Sequence, residues 1–448
     1  MITNIKVDGF KSLSNFELRL HQGINILVGP NGSGKTNIVL FFEFIAKIMD
    51  NTITHSISAL GGAGAIFKKT GNETYDNQLS FEISGSRKYN SDTYINYRFS
   101  AKIEIAFDND LIRYVNQNLK LKFSNNFVND TNELINDNWD LDVIFNGAED
   151  KEDILVKEFD YKRFRHSLFI DNTTKKDFKK RINSVLTSSN LHHINIIKGL
   201  LPFITSYFSY IVSDLSGGES FNIVPSKVKE QEDAASPPGI KKDGSGLATT
   251  LYAMKTNKSY IKDVFKFNFF EDPHEVIYDT DTLNQIISYL KLANKTISNL
   301  EIINDPFDNR LIVKIHINTN DYSAVLPLSA MSDGTIKWLT LITAIMTSKT
   351  IYSIEEPENF LHPWMQAEIV NIMREHITNK ENEAFVIMTT HSESLLNHSN
   401  PNEVLLVSLE CGSTKAKRIN NIDILRNEIS HTGFGLGYFY FSNSLNYE

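Results

Sequence analysis

Only one cysteine, Cys411, occurs in the 448-residue chain. It excludes an internal disulfide framework and a cysteine-built zinc site, and it suits a reducing compartment. Its position just after the apolar run VLLVSL reads as filler near a strand end. No run reaches the roughly 18 apolar residues that a membrane helix needs. The opening MITNIKVDGFKSLSNF mixes polar and charged residues among apolar ones, so it reads as neither a signal nor a transit peptide. A cytoplasmic protein without a membrane partner is expected. Low-complexity tracts and internal repeats are also missing. With 41% hydrophobic and 22% charged residues, the composition is that of a globular chain with room for roughly three domains of about 150 residues each. Positive charge is in deficit: 45 Lys and Arg stand against 54 Asp and Glu, a net −9. That disfavours a general nucleic-acid coat, while a local basic groove leaves DNA binding open.

What is present reads as an α/β chain. IKVDGF, FELRL and INILV are expected strands separated by turns, and TNIVLFFEFIAKIM, apolar on nearly every side, is expected to be a buried helix from Thr36. LSFEISG and TYINYRFSAKIEIAF alternate as half-buried antiparallel strands do. These segments make residues 1–110 one β-rich half of a head. Residues 111–275 read as an inserted, mainly helical region, in which Glu230 to Gly246, rich in charge, proline and glycine, is the best hinge or linker. In residues 276–412 the helix TIKWLTLITAIM, the strand IYSI, the helix WMQAEIVNIMREHI and the strand AFVIMTT alternate as parallel α/β units do. The remainder, 413–448, with its aromatic GFGLGYFYFSNSLNYE, reads as a segment that packs or docks.

Gly29 to Thr36, GPNGSGKT, matches the phosphate-loop pattern between a strand and a helix. In that setting Asn31, Gly32, Ser33 and Gly34 let backbone amides and the helix N-terminus face ATP phosphates. Lys35 reaches the β- and γ-phosphates, and Thr36 offers a hydroxyl to Mg2+. The bland alternative is a glycine turn with an incidental lysine. Far downstream, the apolar strand Ile351 to Ile354 runs into Glu355-Glu356-Pro357-Glu358, where α/β folds place ligands. Because neighbouring strand residues point to opposite faces, Glu355 is assigned to the magnesium shell and Glu356 to the attacking water as general base. A solvated charge run is the competing reading. The strand AFVIMTT then delivers His391 to a neighbouring strand end, near the γ-phosphate; alone, such a histidine is more often structural.

GPNGSGKT, SAMSDGT, IEEPENFLHP and TTHSESLL, in this order, resemble the RecF/SMC-like branch of ABC ATPases, in particular the bacterial group with an EEPExxLHP box. Lys242 to Lys255, KDGSGLATTLYAMK, is similar to a segment of that group without a chemical role to attach. The resemblance implies an ABC-type P-loop head in which Ser332, Asp333 and Gly334 form the signature loop. That loop caps ATP bound to a second subunit, with the positive end of the following helix facing the phosphate. Leu215 to Glu219, LSGGE, spells the commoner signature better, but only the later loop lies one helix and a turn before Glu355. The earlier one is read as a glycine turn in the insertion. For the glutamine loop, Gln78 is a weak candidate.

Two subunits head to tail around two ATP molecules are therefore implied, as a homodimer or higher homo-oligomer that ATP closes and hydrolysis loosens. The expected role is gating a separate effector, a nuclease, as similar anti-phage ATPases do. A RecF-like DNA-repair clamp and a structural scaffold are the alternatives.

Overall fold

A computed structural model describes residues 1–72, 74–90, 92–106, 111–125, 139–147, 153–160, 175–200, 205–257, 259–261, 275–348, 351–378 and 384–442. Two large sheets dominate them. Strand Ile2–Asp8 lies between Phe16–Arg19 and Gln78–Asn90, and the antiparallel order continues through Thr93–Ala106, Leu111–Ser124, Leu141–Asn146 and Asp153–Phe159. The second sheet runs Ser413–Arg418, Val404–Glu410, Gly23–Val28, Phe385–Thr390, Ile351–Glu355 and Glu219–Phe221. All its pairings are parallel except that of Ser413–Arg418 with Val404–Glu410.

The parallel sheet is buried on both faces, as its unbroken apolar strands require. Along Phe385–Thr390, Phe385 and Ile387 join one core with helix Lys35–Asp50 and the antiparallel sheet. Val386 and Met388 join the other, with helices Leu247–Lys255, Thr280–Ala293, Asp333–Thr347 and Pro363–Thr378. The period-two alternation of a strand thus divides one sheet between two cores. A smaller sheet, Ile297–Asp305, Arg310–Asn318 and Ser323–Pro327, lies over the second core. This is an α/β fold in which a mixed, largely parallel sheet and an antiparallel sheet are flanked by helices. No helix of the described residues is long and apolar enough to cross a membrane.

Several expectations need correction. The region 111–275 is not mainly helical in its described part: Leu111–Ser124, Leu141–Asn146 and Asp153–Phe159 extend the antiparallel sheet before helices Lys175–Ser188, Ile196–Leu200 and Thr205–Leu215 begin. Leu111–Ser124 takes up the alternation of Thr93–Ala106 and pairs with it along its length. The LSGGE segment does turn, its Glu219 amide donating to the Gly217 carbonyl (2.8 Å), but it leads into the head's parallel sheet rather than lying in an insertion. It ends helix Thr205–Leu215 and opens the edge strand of the parallel sheet. Gly218 passes so close to helix Lys35–Asp50 that a Cβ would stand 2.3 Å from the carbonyl of Phe42. Glu230 to Gly246 is pinned rather than a free linker, for Glu232 and Asp233 pair with Leu311 and Arg310. The boundary expected at 413 falls inside a hairpin, since Ser413–Arg418 is an edge strand of the parallel sheet, while Leu436 and Phe439 further on do pack into the core. Cys411 is exposed at the tip of that hairpin, where it and Gly412 take positive φ (48° and 76°) as a tight two-residue turn demands. Residues 201–204 of the expected apolar helix and 443–448 of the aromatic tail lie outside the described residues.

Candidate functional site

The phosphate loop joins the central strand Gly23–Val28 to helix Lys35–Asp50. Asn31, Gly32 and Thr36 are exposed, whereas Ser33 and Lys35 are buried. Gly34 has φ +101°, and a Cβ there would fall 1.9 Å from the Thr414 hydroxyl. Only glycine serves at such a position. Thr414 supports the loop from behind: its hydroxyl donates to the Ser33 carbonyl (3.0 Å) and shares a 2.6 Å hydrogen bond with Ser12. The ammonium of Lys35 donates to the Gly29 and Pro30 carbonyls (2.8 and 3.1 Å). Burial lowers the pKa of Lys35, opposed by the nearby Glu356 and Glu358 carboxylates.

Lys35 and the glutamates, far apart in sequence, therefore share one site. Strand Ile351–Glu355 ends with Glu355, 7% exposed, on the Thr36 side of the phosphate loop. Burial raises the pKa of Glu355, while the Lys242 ammonium and the nearby Thr36 hydroxyl pull it down. The next residue departs from the expectation of opposite faces. Glu356 is no longer in the strand and adopts a left-handed φ of +45°, so alternation stops and both carboxylates stay near the loop. The amide of Glu356 donates to the Thr389 carbonyl (3.0 Å). Its Oε2 accepts from Asn359 Nδ2 (2.8 Å), and its Oε1 lies 3.9 Å from His391 Nε2.

Two residues without an expected role complete this centre. Glu358 Oε1 accepts from the Thr390 hydroxyl and the His391 amide, both at 2.8 Å, and so ties the histidine's strand end to the glutamate turn. Lys337, 1% exposed, donates from its ammonium to the Glu356 carbonyl (2.9 Å) and lies over the Phe360 ring. Burial brings its pKa down to about 8, against the pull of Glu358 and Glu356. The signal for Glu358 stood in the EEPE box itself. For Lys337 there was none, because a lysine in an apolar helix reads as a solvated position.

Ser332 caps helix Asp333–Thr347 through its hydroxyl, which accepts from the Thr335 amide (3.3 Å). Asp333 pairs with Lys229 (2.7 Å), and Gly334 passes close to the Phe360 carbonyl. Ser332 and Asp333 are exposed. Their hydrogen bonds run to Thr335 and Lys229 rather than to the phosphate loop of the same chain. Gln78 opens a strand of the antiparallel sheet, its carbonyl against Gly9. The strand end beside Glu355 belongs instead to Asn222, one residue past the pairing of Ile354 with Phe221.

The donors suit Mg2+. Among the described residues no three His, Cys, Asp or Glu side chains gather as a metal-holding group. Thr36 and Glu355 offer a hydroxyl and a carboxylate, the hard oxygen ligands of an ion that keeps waters and takes its other ligands from phosphates.

A family model described as "AAA domain, putative AbiEii toxin, Type IV TA system" matches residues 24–397, which is most of the chain. The chain belongs to this AAA-domain family. Within it, the chain is similar to an ATP/GTP phosphatase of Helicobacter pylori, 33% identical over 135 residues, or 28% of this chain and 36% of the relative. A Rad50 DNA double-strand break repair ATPase of Methanopyrus kandleri is 46% identical over 39 residues, 9% of this chain and 4% of its own length. A RecF DNA replication and repair protein of Corynebacterium jeikeium is 35% identical over 52 residues, 12% of each. The matches span about a third or less of these curated relatives. Among solved structures, an SMC head bound to the C-terminal winged-helix domain of ScpA aligns over 93% of this chain and 97% of its own at 14% identity and a TM-score of 0.48. The Thermotoga maritima SMC head aligns over 94% and 99% at 11% identity and a TM-score of 0.40.

Proposed function

We propose that this AAA-domain chain binds and hydrolyses ATP and that ATP closes two copies head to tail. The observation that carries the reading is that the parallel pairing of Gly23–Val28, Phe385–Thr390 and Ile351–Glu355 brings Glu355 and Glu356 to the end of the sheet where the phosphate loop starts, with Lys35 close to Glu356. Exposed amides at Asn31 and Gly32 and the N-terminus of helix Lys35–Asp50 receive the phosphates. Lys35 exchanges its carbonyl partners for phosphate oxygens. Glu356 accepts the proton of the attacking water, while His391 holds the carboxylate or donates to the γ-phosphate. Thr36 and Glu355 would hold a magnesium ion, which would offset phosphate charge. The exposed Ser332 and Asp333, with Gly334 beside them, cap the ATP of the second copy.

Glu356→Gln is expected to keep ATP binding, lose hydrolysis by about 10²–10⁴-fold, and accumulate as a dimer. Light scattering that finds only monomer with ATP sinks the head-to-tail arrangement. Downstream, the switch gates a separate effector, a nuclease of anti-phage defence. The RecF and Rad50 names of the short matches favour a second reading, ATP-dependent DNA binding in repair. Pull-downs with and without ATP, beside a duplex shift assay over a salt series, separate the two: a co-purifying nuclease supports the first, salt-sensitive duplex binding alone the second.

A further inference from the structure

Lys242 carries a charge that this reading leaves unused. It belongs to the strap 222–246, which leaves the edge strand Glu219–Phe221 and returns beside its own start. The Asn222 amide donates to the Lys242 carbonyl (2.7 Å) and the Val224 amide to that of Asp243 (2.9 Å). The return lays Lys242 against the strand end that carries Glu355. Its ammonium donates to Glu43 Oε1 at 2.5 Å and stands 3.9 Å from Glu355 Oε1. Glu43 lies two helical turns beyond Thr36 and so on the same face of the phosphate-loop helix. The two carboxylate side chains are 12% and 8% exposed, whereas that of Lys242 is 50% exposed. A half-exposed cation thus reaches in from solvent to two sheltered anions that would otherwise repel each other.

The same strap touches the signature loop. Lys229 pairs with Asp333 at 2.7 Å. Between the two lysines, Glu232 accepts from the Gly246 and Thr249 amides (2.6 and 2.9 Å), fixing the strap to the start of helix Leu247–Lys255. One short segment therefore links a metal carboxylate of its own site to the loop that serves a second copy.

We propose that Lys242 is a tethered counter-cation of the magnesium site, neutralising Glu43 and Glu355 until Mg·ATP loads and then leaving Glu355, which loosens the strap that holds Asp333 through Lys229. This rests on the nucleotide reading above. Lys242 is a positioning residue, for it acts through the carboxylates and the strap.

The test uses the full chain and Lys242→Met beside Lys242→Arg, with a fluorescent ATP analogue at fixed concentration and Mg2+ as the titrant. Removing the competing charge is expected to lower the Mg2+ midpoint of nucleotide binding about tenfold in the methionine variant. The arginine variant stays near wild type. Cleavage by a glutamate-specific protease after Glu230 is expected to rise with Mg·ATP in the wild type and to be high without it in Lys242→Met. A midpoint that is unchanged or higher in Lys242→Met, or cleavage indifferent to Mg·ATP in the wild type, overturns the proposal while nucleotide binding stands. A wild type that binds no Mg·ATP at any Mg2+ concentration removes the nucleotide reading and this one together.

Discussion

At the residue scale, the buried ammonium of Lys337 makes the site's electrostatics measurable. Its pKa of about 8 lies below its ordinary value of 10.5, so the unfolded chain holds this proton where the folded chain has lost it. Stability then rises with pH between those two values, and below about pH 8 the folded state bears the full cost of burying the charge. Lys337→Met removes this proton from both states. The melting temperature of the wild type is accordingly expected to climb relative to the variant between about pH 8 and 10.5. Parallel curves across that window contradict the buried ammonium. The remaining residues divide by how local their chemistry is. GPNGSGKT and EEPE were legible because each is a local pattern of neighbours in sequence at the end of a strand. The roles of Lys337, Lys242 and Thr414 were not, since each is defined by a partner from a distant segment. Glu356 shows the limit in another way: period-two reasoning holds through Glu355 and fails one residue later, when the backbone turns left-handed.

At the scale of elements, the strands that carry the site were readable from alternation and apolar runs. Their order was not, because sheet neighbours such as Glu219–Phe221 and Ile351–Glu355 come from separate stretches of chain. LSGGE misled for that reason, its glycines serving a close helix contact. A buried carboxylate between two cations holds that neighbourhood, for Asp214 lies 2.9 Å from the Met1 ammonium as well as against Arg87. Arg87, from the antiparallel sheet, donates to Asp214 at 2.6 Å with side chains 6% and 0% exposed, and the Tyr97 hydroxyl adds a 3.3 Å bond. Asp214 sits at the end of helix Thr205–Leu215, immediately before the turn into the edge strand. Asp214→Asn leaves the guanidinium without its counter-charge and is expected to cost about 3–5 kcal/mol, read as a lower urea midpoint with an unchanged slope. Thr414→Val deprives Ser12 and the Ser33 carbonyl of their partner. A loss of about 1 kcal/mol and weaker binding of an ATP analogue are expected, with the Asp214→Asn protein as a control for stability alone.

At the scale of the whole molecule, the exposed signature loop gives a mixing experiment. Lys35→Ala removes the phosphate ligand of one site, and Ser332→Arg blocks the cap offered to the other. Each protein alone is expected to hydrolyse no ATP. Their mixture assembles dimers in which one site takes its phosphate loop and its cap from two intact segments. Partial activity should return in the mixture, and its absence at concentrations where the mixed dimer is seen by light scattering contradicts a shared site. In the proposed dimer, the strap 222–246 touches both Glu355, through Lys242, and Asp333, through Lys229, within one copy.

The Thr414 support behind the phosphate loop also bears on biosynthesis. Its hydrogen bonds to Ser12 and Ser33 close contours of 402 and 381 residues, and closures of that length are slow. During translation the loop emerges among the first residues, while its rear wall is still unmade. A chain that has not yet reached Thr414 therefore lacks the hydrogen bonds that back the phosphate loop.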